Sequence, residues 1–110
     1  MTMNIEAALT GYLSNRLDCP VGSERGNGTY VTLERTGGRK IHGVVDCPDV
    51  SVFCWAPSRY EASELAYRVD SEIQGFDSVP NVVCVSEANI YHSPVDDRER
   101  YQLDYTIKTK

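Results

Sequence analysis

The stretch Asp49-Val50-Ser51-Val52-Phe53-Cys54-Trp55 constrains this chain most. Val50, Val52 and Cys54 fall on one side of an extended backbone, and Ser51, Phe53 and Trp55 on the other. Nearly every position is apolar, which predicts a strand covered on both faces and central in its sheet. Ala56-Pro57 ends it. Ser58, with Glu61 three residues on, then forms a capping-box pattern: the hydroxyl accepts from an orphan backbone N–H, and the carboxylate reaches back. Ala62, Leu65, Ala66, Val69 and Ile73 repeat at helical spacing, which predicts a helix lying on the sheet.

The rest of the chain arranges itself around that strand and helix. Residues 4–17 predict a first helix, with Ile5, Ala8, Leu9, Tyr12, Leu13 and Leu17 on one stripe and Thr2 or Asn4 as its cap. Asp18-Cys19-Pro20 ends it, because proline disfavours helix in the residue before it. Residues 29–35 predict a strand. Thr36-Gly37-Gly38-Arg39-Lys40 reads as a hairpin tip, since paired glycines supply positive φ. Residues 41–46 return as a weaker strand with a bulge at Gly43, and Cys47-Pro48 turns the chain into the central strand. After the second helix, residues 82–91 predict one long strand, bent in the middle, and residues 93–99 a polar loop. The last strand alternates cleanly: Tyr101, Leu103, Tyr105 and Ile107 face one way, while Gln102, Asp104, Thr106 and Lys108 face the other. The expected fold is α+β, a two-layer sandwich. It has a mostly antiparallel sheet and two helices on one face, in the order α-β-β-β-α-β-β.

A length of 110 residues predicts a single domain, residues 1–110. The net charge of −5 and the scattered basic residues argue against a tight grip on nucleic acid, which needs clustered Lys and Arg. No apolar run approaches a membrane span. The start Met1-Thr2-Met3-Asn4-Ile5-Glu6 lacks a basic-then-hydrophobic signal, so folding in the cytoplasm is expected. Cys19, Cys47, Cys54 and Cys84 contain no C-x-x-C pair and have no supporting His cluster, so no metal site is expected. Cys54 and Cys84 lie in apolar strands and read as small buried hydrophobes with free thiols.

Chemistry-bearing groups are sparse. The loop of residues 22–28 holds G-x-x-x-G-x-G, but it follows a helix and precedes a strand, the reverse of a phosphate cradle. His42 and Asp46 would share one face of a strand, with Asp49 nearby, but no nucleophile or metal partner accompanies them. Asp96-Asp97-Arg98-Glu99-Arg100 alternates in sign, as a wet surface or a salt-bridged contact does. Tyr30, Tyr60, Tyr67, Tyr91, Tyr101 and Tyr105 serve either as the edge of the core or as a protein interface.

The ordered motifs resemble a known family. They are Val31-Thr-Leu-Glu-Arg-Thr-Gly-Gly38, then Asp46-x-Pro48-x-Val50-x-Val52-x-x-Trp55-Ala56, the helix Ala62-x-x-x-Ala66-x-x-Val69, and Ile90-Tyr91, Pro94 and Arg100-Tyr101-x-Leu103-x-Tyr105. Together they are similar to the tail completion or tail terminator proteins of long-tailed bacteriophages, small head–tail joining minor tail proteins that cap the tail tube. The resemblance implies a structural protein with no enzymatic activity, cofactor or metal. It implies a ring of identical subunits, usually six, whose partners are itself, the tail tube protein and a head completion or connector protein. DNA passes through such a ring without tight binding, and no membrane is involved. The implied location is the virion tail or neck, after assembly in the host cytoplasm. A heterologous ring needs two complementary patches. The basic Arg35, Arg39 and Lys40 and the loop of Asp96, Asp97, Arg98 and Glu99 are the candidate interface residues, one steering towards the other on a neighbour. The alternatives are a head-side stopper or adaptor of the neck, a small hydrolase using His42 and Asp46, and a single-stranded nucleic-acid-binding module stacking bases on sheet tyrosines.

Overall fold

The computed structural model describes residues 3–22, 28–41 and 45–110. Asn4 opens the first helix, α1 (Ile5–Ser14), its side-chain oxygen accepting from the Ala7 N–H at 3.2 Å. A two-residue strand, β1 (Val21–Gly22), precedes β2 (Tyr30–Ile41) and β3 (Val45–Ala56). Ser58 then caps α2 (Arg59–Ile73) by accepting from the Glu61 N–H at 3.2 Å. A short 3-10 turn (Phe76–Ser78) leads to β4 (Val82–Val85), β5 (Asn89–His92) and β6 (Glu99–Thr109). The six strands form one sheet in the order β1-β2-β3-β6-β4, with β5 also on β6. Among the described residues, only the β1–β2 pair is parallel.

Register decides which face holds the core. Val31 pairs with Cys54 and Leu33 with Val52, which pairs in turn with Leu103. These side chains and Val50, Tyr105 and Ile107 all turn towards the helices. They form one buried cluster with Ile5, Leu9 and Leu13 of α1 and Ala66, Val69 and Ile73 of α2. The fold is therefore the two-layer α+β sandwich that the periodicities predict, with both helices on one face. Two phenolic groups tie the layers together. Tyr105 Oη donates to Asp70 at 2.7 Å, and Tyr12 Oη donates to the Glu72 carbonyl at 2.9 Å. Burial, and then the Asp70 acceptor, push the Tyr105 hydroxyl far above the ordinary tyrosine pKa. Among the described residues, no helix is long and apolar enough to cross a membrane.

The hairpin differs from the expectation. Residues 36–40 are not its tip and Cys47-Pro48 is not a turn. β2 and β3 stay paired through Gly38↔Pro48 and Lys40↔Asp46 out to Ile41↔Val45. The expected Gly43 bulge lies outside the described residues, as do most of the 22–28 loop and the candidate cap Thr2. Pro48 is tolerated because both ladders give way at that level. β2 shifts register between Arg35 and Gly37, and β6 pairs with Asp46 and Asp49 but skips residues 47 and 48. Gly38 does have the positive φ expected of the glycine pair, +97°, but it is spent within a strand. A Cβ there would overlap the Cys47 carbonyl oxygen and come within 2.5 Å of Pro48 Cα.

Three smaller differences follow from local limits. Two residues are too few for β1 to leave a periodic signal. The expected strand over residues 82–91 breaks into β4 and β5. Cys54 is buried as expected, but Cys84 is exposed, because β4 is an edge strand with its own register shift.

Gly38→Ala should lower stability by at least about 2 kcal/mol, since backbone on both sides must move. At Gly37 a Cβ meets only the Asp49 carboxylate, at 3.6 Å. Gly37→Ala should therefore stay within roughly 1 kcal/mol of the parent. Urea denaturation midpoints of the two variants provide the test, and equal losses would refute the close-approach argument.

Candidate functional site

The chemistry-bearing side chains gather at the two ends of the β2–β3 hairpin and on the sheet face that carries no helix. At the end where β3 finishes, Tyr30 stacks on Trp55 with ring centroids 5.4 Å apart and 10° between planes. Trp55 Nε1 donates to Thr32 Oγ1 at 3.0 Å, and Arg98 Nη1 donates to Tyr30 Oη at 2.9 Å. The Arg100 guanidinium lies 4.4 Å from the Phe53 ring centroid and 5.2 Å from that of Trp55. Its Nε and Nη2 donate to the Ser93 carbonyl and hydroxyl at 2.8 and 3.0 Å. These contacts bury Trp55 to 3% exposure with no third layer over it.

The loop of residues 93–98 closes as a tight turn. The Val95 and Arg98 backbones exchange hydrogen bonds of 3.1 and 2.9 Å, and Asp96 takes a left-handed φ of 54°. Asp97, Arg98 and Glu99 then line a cleft of about 320 Å³ against Tyr30, Trp55 and Pro57. Glu99 is held from behind by His92, whose Nε2 lies 2.6 Å from Oε2, while the His92 ring rests 5.5 Å from Tyr101.

The opposite end is organised by Asp46. This carboxylate is 2% exposed and receives both Arg35 amino groups, at 2.7 and 2.9 Å. Arg35 also donates through Nε to the Gly37 carbonyl at 2.8 Å. The Arg35 hydrogen bonds hold the Asp46 carboxyl below the ordinary aspartate range. Arg39 and Lys40 are exposed beyond it.

Between the ends, the open face is a polar ladder. Asp104 accepts from Ser51 Oγ, Gln102 Nε2 and Tyr91 Oη at 2.8, 2.9 and 2.9 Å. Thr106 Oγ1 donates to Asp49 at 2.8 Å. Among the described residues, no buried side-chain polar atom lacks a partner, and no group of three His, Cys, Asp or Glu is placed to hold a metal.

The candidate interface residues are thus brought together in part. Asp97, Arg98 and Glu99 share a cleft, with Asp96 exposed in the turn beside it. Arg39 and Lys40 share the far end, but Arg35 is committed to Asp46. His42 lies outside the described residues, and Asp46 faces Arg35 on the helix side of the sheet. Tyr60 and Tyr67 are 73% and 62% exposed on α2, not on the sheet, and Tyr91 on the open face is tied to a carboxylate. Sequence reasoning missed the Tyr30–Trp55–Arg100 stack and the His92–Glu99 pair. Both depend on cross-strand register, although His92 and Glu99, which flank a polar loop, offered a hairpin signal. A scan against protein-family models finds no match, and neither does a search of curated proteins.

Asp46→Asn should cost roughly 1–3 kcal/mol at neutral pH, because the semi-buried Arg35 loses its charged acceptor. Since the folded carboxyl titrates below its unfolded value, its contribution is present above about pH 4 and disappears as pH falls through the folded pKa. The gap between parent and variant should therefore narrow on acidification. A gap that stays constant in urea titrations from pH 7 to pH 2 would rule out this linkage.

Proposed function

We propose that this chain is a wall unit of a homo-oligomeric ring, probed best as a terminator of a phage tail tube that offers the tail-side surface for the head. One observation carries the reading. The molecule is elongated, 43 × 24 × 23 Å, and its two ends expose different charged groups. Arg39 and Lys40 stand exposed at one end of the β2–β3 hairpin. Asp96 and Asp97 stand exposed beyond the other, with exposed Arg98 beside them leaving a net acidic turn. Ten residues of extended chain between Tyr30 and Lys40 span about 33 Å. With its long axis along the tube, each subunit would present the basic end to one axial partner and the acidic end to another, so the ends give the ring two distinct faces. Neighbours within a ring have like ends at one level. The basic residues then steer axial stacking, and the flanks join the subunits.

The polar groups also favour this reading. Carboxylates occupy the middle of the open sheet face, which disfavours a phosphate backbone lying there. In the cleft, Glu99 is engaged by His92 and Arg98 by Tyr30, a pattern of positioned contacts around an aromatic floor.

The test is electron microscopy of tailed particles from the lysate that produces this chain, labelled with antibody against it. Label at the head–tail junction is expected. Label on tailless heads, or absence from particles, overturns the proposal. The Arg39→Glu/Lys40→Glu and Asp96→Asn/Asp97→Lys variants should both stay folded, since these side chains are exposed and asparagine tolerates the left-handed φ at position 96. They should stall assembly at different stages, one leaving tubes unterminated and the other leaving capped tails without heads. Identical phenotypes would remove the two-faced argument.

A further inference from the structure

We infer that the basic end is a docking surface for an acidic protein segment, laid across Arg39, Lys40, Lys108 and Lys110. The inference names the chemistry of the axial partner met at that end, and in this it rests on the ring reading. The chain holds eleven lysines and arginines, and all but Arg25 are described. Six of them are engaged by the chain itself. Arg35 grips Asp46, Arg16 meets Glu72 at 3.7 Å and Arg68 meets Asp18 at 3.4 Å. Arg59 hydrogen-bonds Tyr101, Arg98 donates to Tyr30 and Arg100 donates to Ser93. Arg39, Lys40, Lys108 and Lys110 are exposed and have no hydrogen bond or ion pair from their side chains to any described residue. Lys40 acts on Asp46 only through space, and that carboxylate already holds Arg35.

Register brings the four together. Lys40 pairs with Asp46 and Asp46 with Thr109, which puts Lys40 and Lys110 at the same end of the sheet. One residue inward, Arg39 pairs with Cys47 on β3, and Lys108 pairs with Cys84 on β4. Arg39 on β2 and Lys108 on β6 thus stand on either side of β3, about 10 Å apart. The open face beside Arg39 holds a cleft of about 450 Å³, lined by Gly38, Arg39, Cys47, Asp49 and Thr106. Asp49, the carboxylate in that lining, accepts from Thr106 at 2.8 Å.

The occupant is an acidic run on a protein partner. Arg39 and Lys40 are adjacent, and Lys108 and Lys110 are two apart on one strand. Each pair lies within a Debye length, about 8 Å at physiological salt, so its members repel with no internal carboxylate to offset them. A partner's carboxylates provide that offset, and no internal pair has to break first. Nucleic acid fits less well. The chain carries a net charge of −5, and Asp49 and Asp104 lie inboard on the same face. A phosphate backbone continues past the patch and meets that negative surround, whereas a short acidic run stops at the end.

Cys47 and Cys84 sit beside the patch cations and report its occupancy, while Cys19, packed against the core, is the internal control. The test is alkylation by neutral iodoacetamide with and without a hexaglutamate peptide, read by peptide mapping. Saturating peptide should slow the reaction at Cys47 and Cys84 by roughly threefold or more and leave Cys19 unchanged. The protection should weaken as salt rises. Arg39→Gln/Lys108→Gln should abolish it. Tyr60→Glu/Tyr67→Glu, which lowers the net charge by the same amount on α2, should keep it. No protection at millimolar peptide, protection that survives Arg39→Gln/Lys108→Gln, or stronger protection by a DNA oligonucleotide of equal charge overturns the inference. Junction label without peptide protection rejects this surface and keeps the ring. Peptide protection without junction label keeps the surface and rejects the phage reading.

Discussion

Where β2 crosses Pro48, two backbones lie closer than any side chain would permit, and Gly38 is the residue that allows it. Pro48 offers no N–H to either neighbour, so a regular ladder cannot continue through it. The chain resolves this with a register shift on β2 and two skipped pairs on β6. A bulge re-aims the side chains next to it. Arg35, at the shift, swings under the sheet, bonds the Gly37 carbonyl and grips Asp46 with both amino groups. One irregularity thus extends the hairpin beyond the apolar core and closes the end of that core with an ion pair.

The same sheet is finished differently on its two faces. On the helix side, burial of aliphatic side chains supplies the driving force. On the other side there is no layer to bury against, yet Trp55, Tyr30, Thr32 and Ser51 are all nearly inaccessible. They are covered by their own cross-strand neighbours: an arginine over two rings, a stacked pair, a hydroxyl under the indole N–H. Such pairs contribute about 0.2–1 kcal/mol each, and their larger effect here is to fix register. The result is a polar face on which Asp104 and Asp49 accept from side chains of the same ladder.

That contrast explains what could be read from the residues alone. Period-two and helical patterns identified the central strand, the last strand and both helices, because each buries one stripe in a common core. The Ser58 and Asn4 caps were legible because a cap is a local signal. The hairpin tip was misread at Gly37-Gly38, because a glycine pair reports positive φ without saying whether a turn or a bulge uses it. Pro48 reinforced the error, since interior prolines are uncommon in central strands. The site contacts were the least legible. Asp46 looked like a partner for a histidine four residues away, but its partner is Arg35 across the ladder. His92 finds Glu99, and Trp55 finds Tyr30, through register that no single segment encodes.

The distribution of unused surface follows from the same geometry. A sheet with helices on one face and a polar ladder on the other leaves for partners its edges, its ends and the outer face of α2, where Tyr60 and Tyr67 are exposed. The ends lie along the strands and differ in charge, so they suit partners met along an axis. The edges lie across the strands and differ in chemistry: β4 is uncharged and apolar, and the far half of β2 is cationic. Contacts made by two unlike edges propagate in one direction, and they close only when each step turns by a fixed angle.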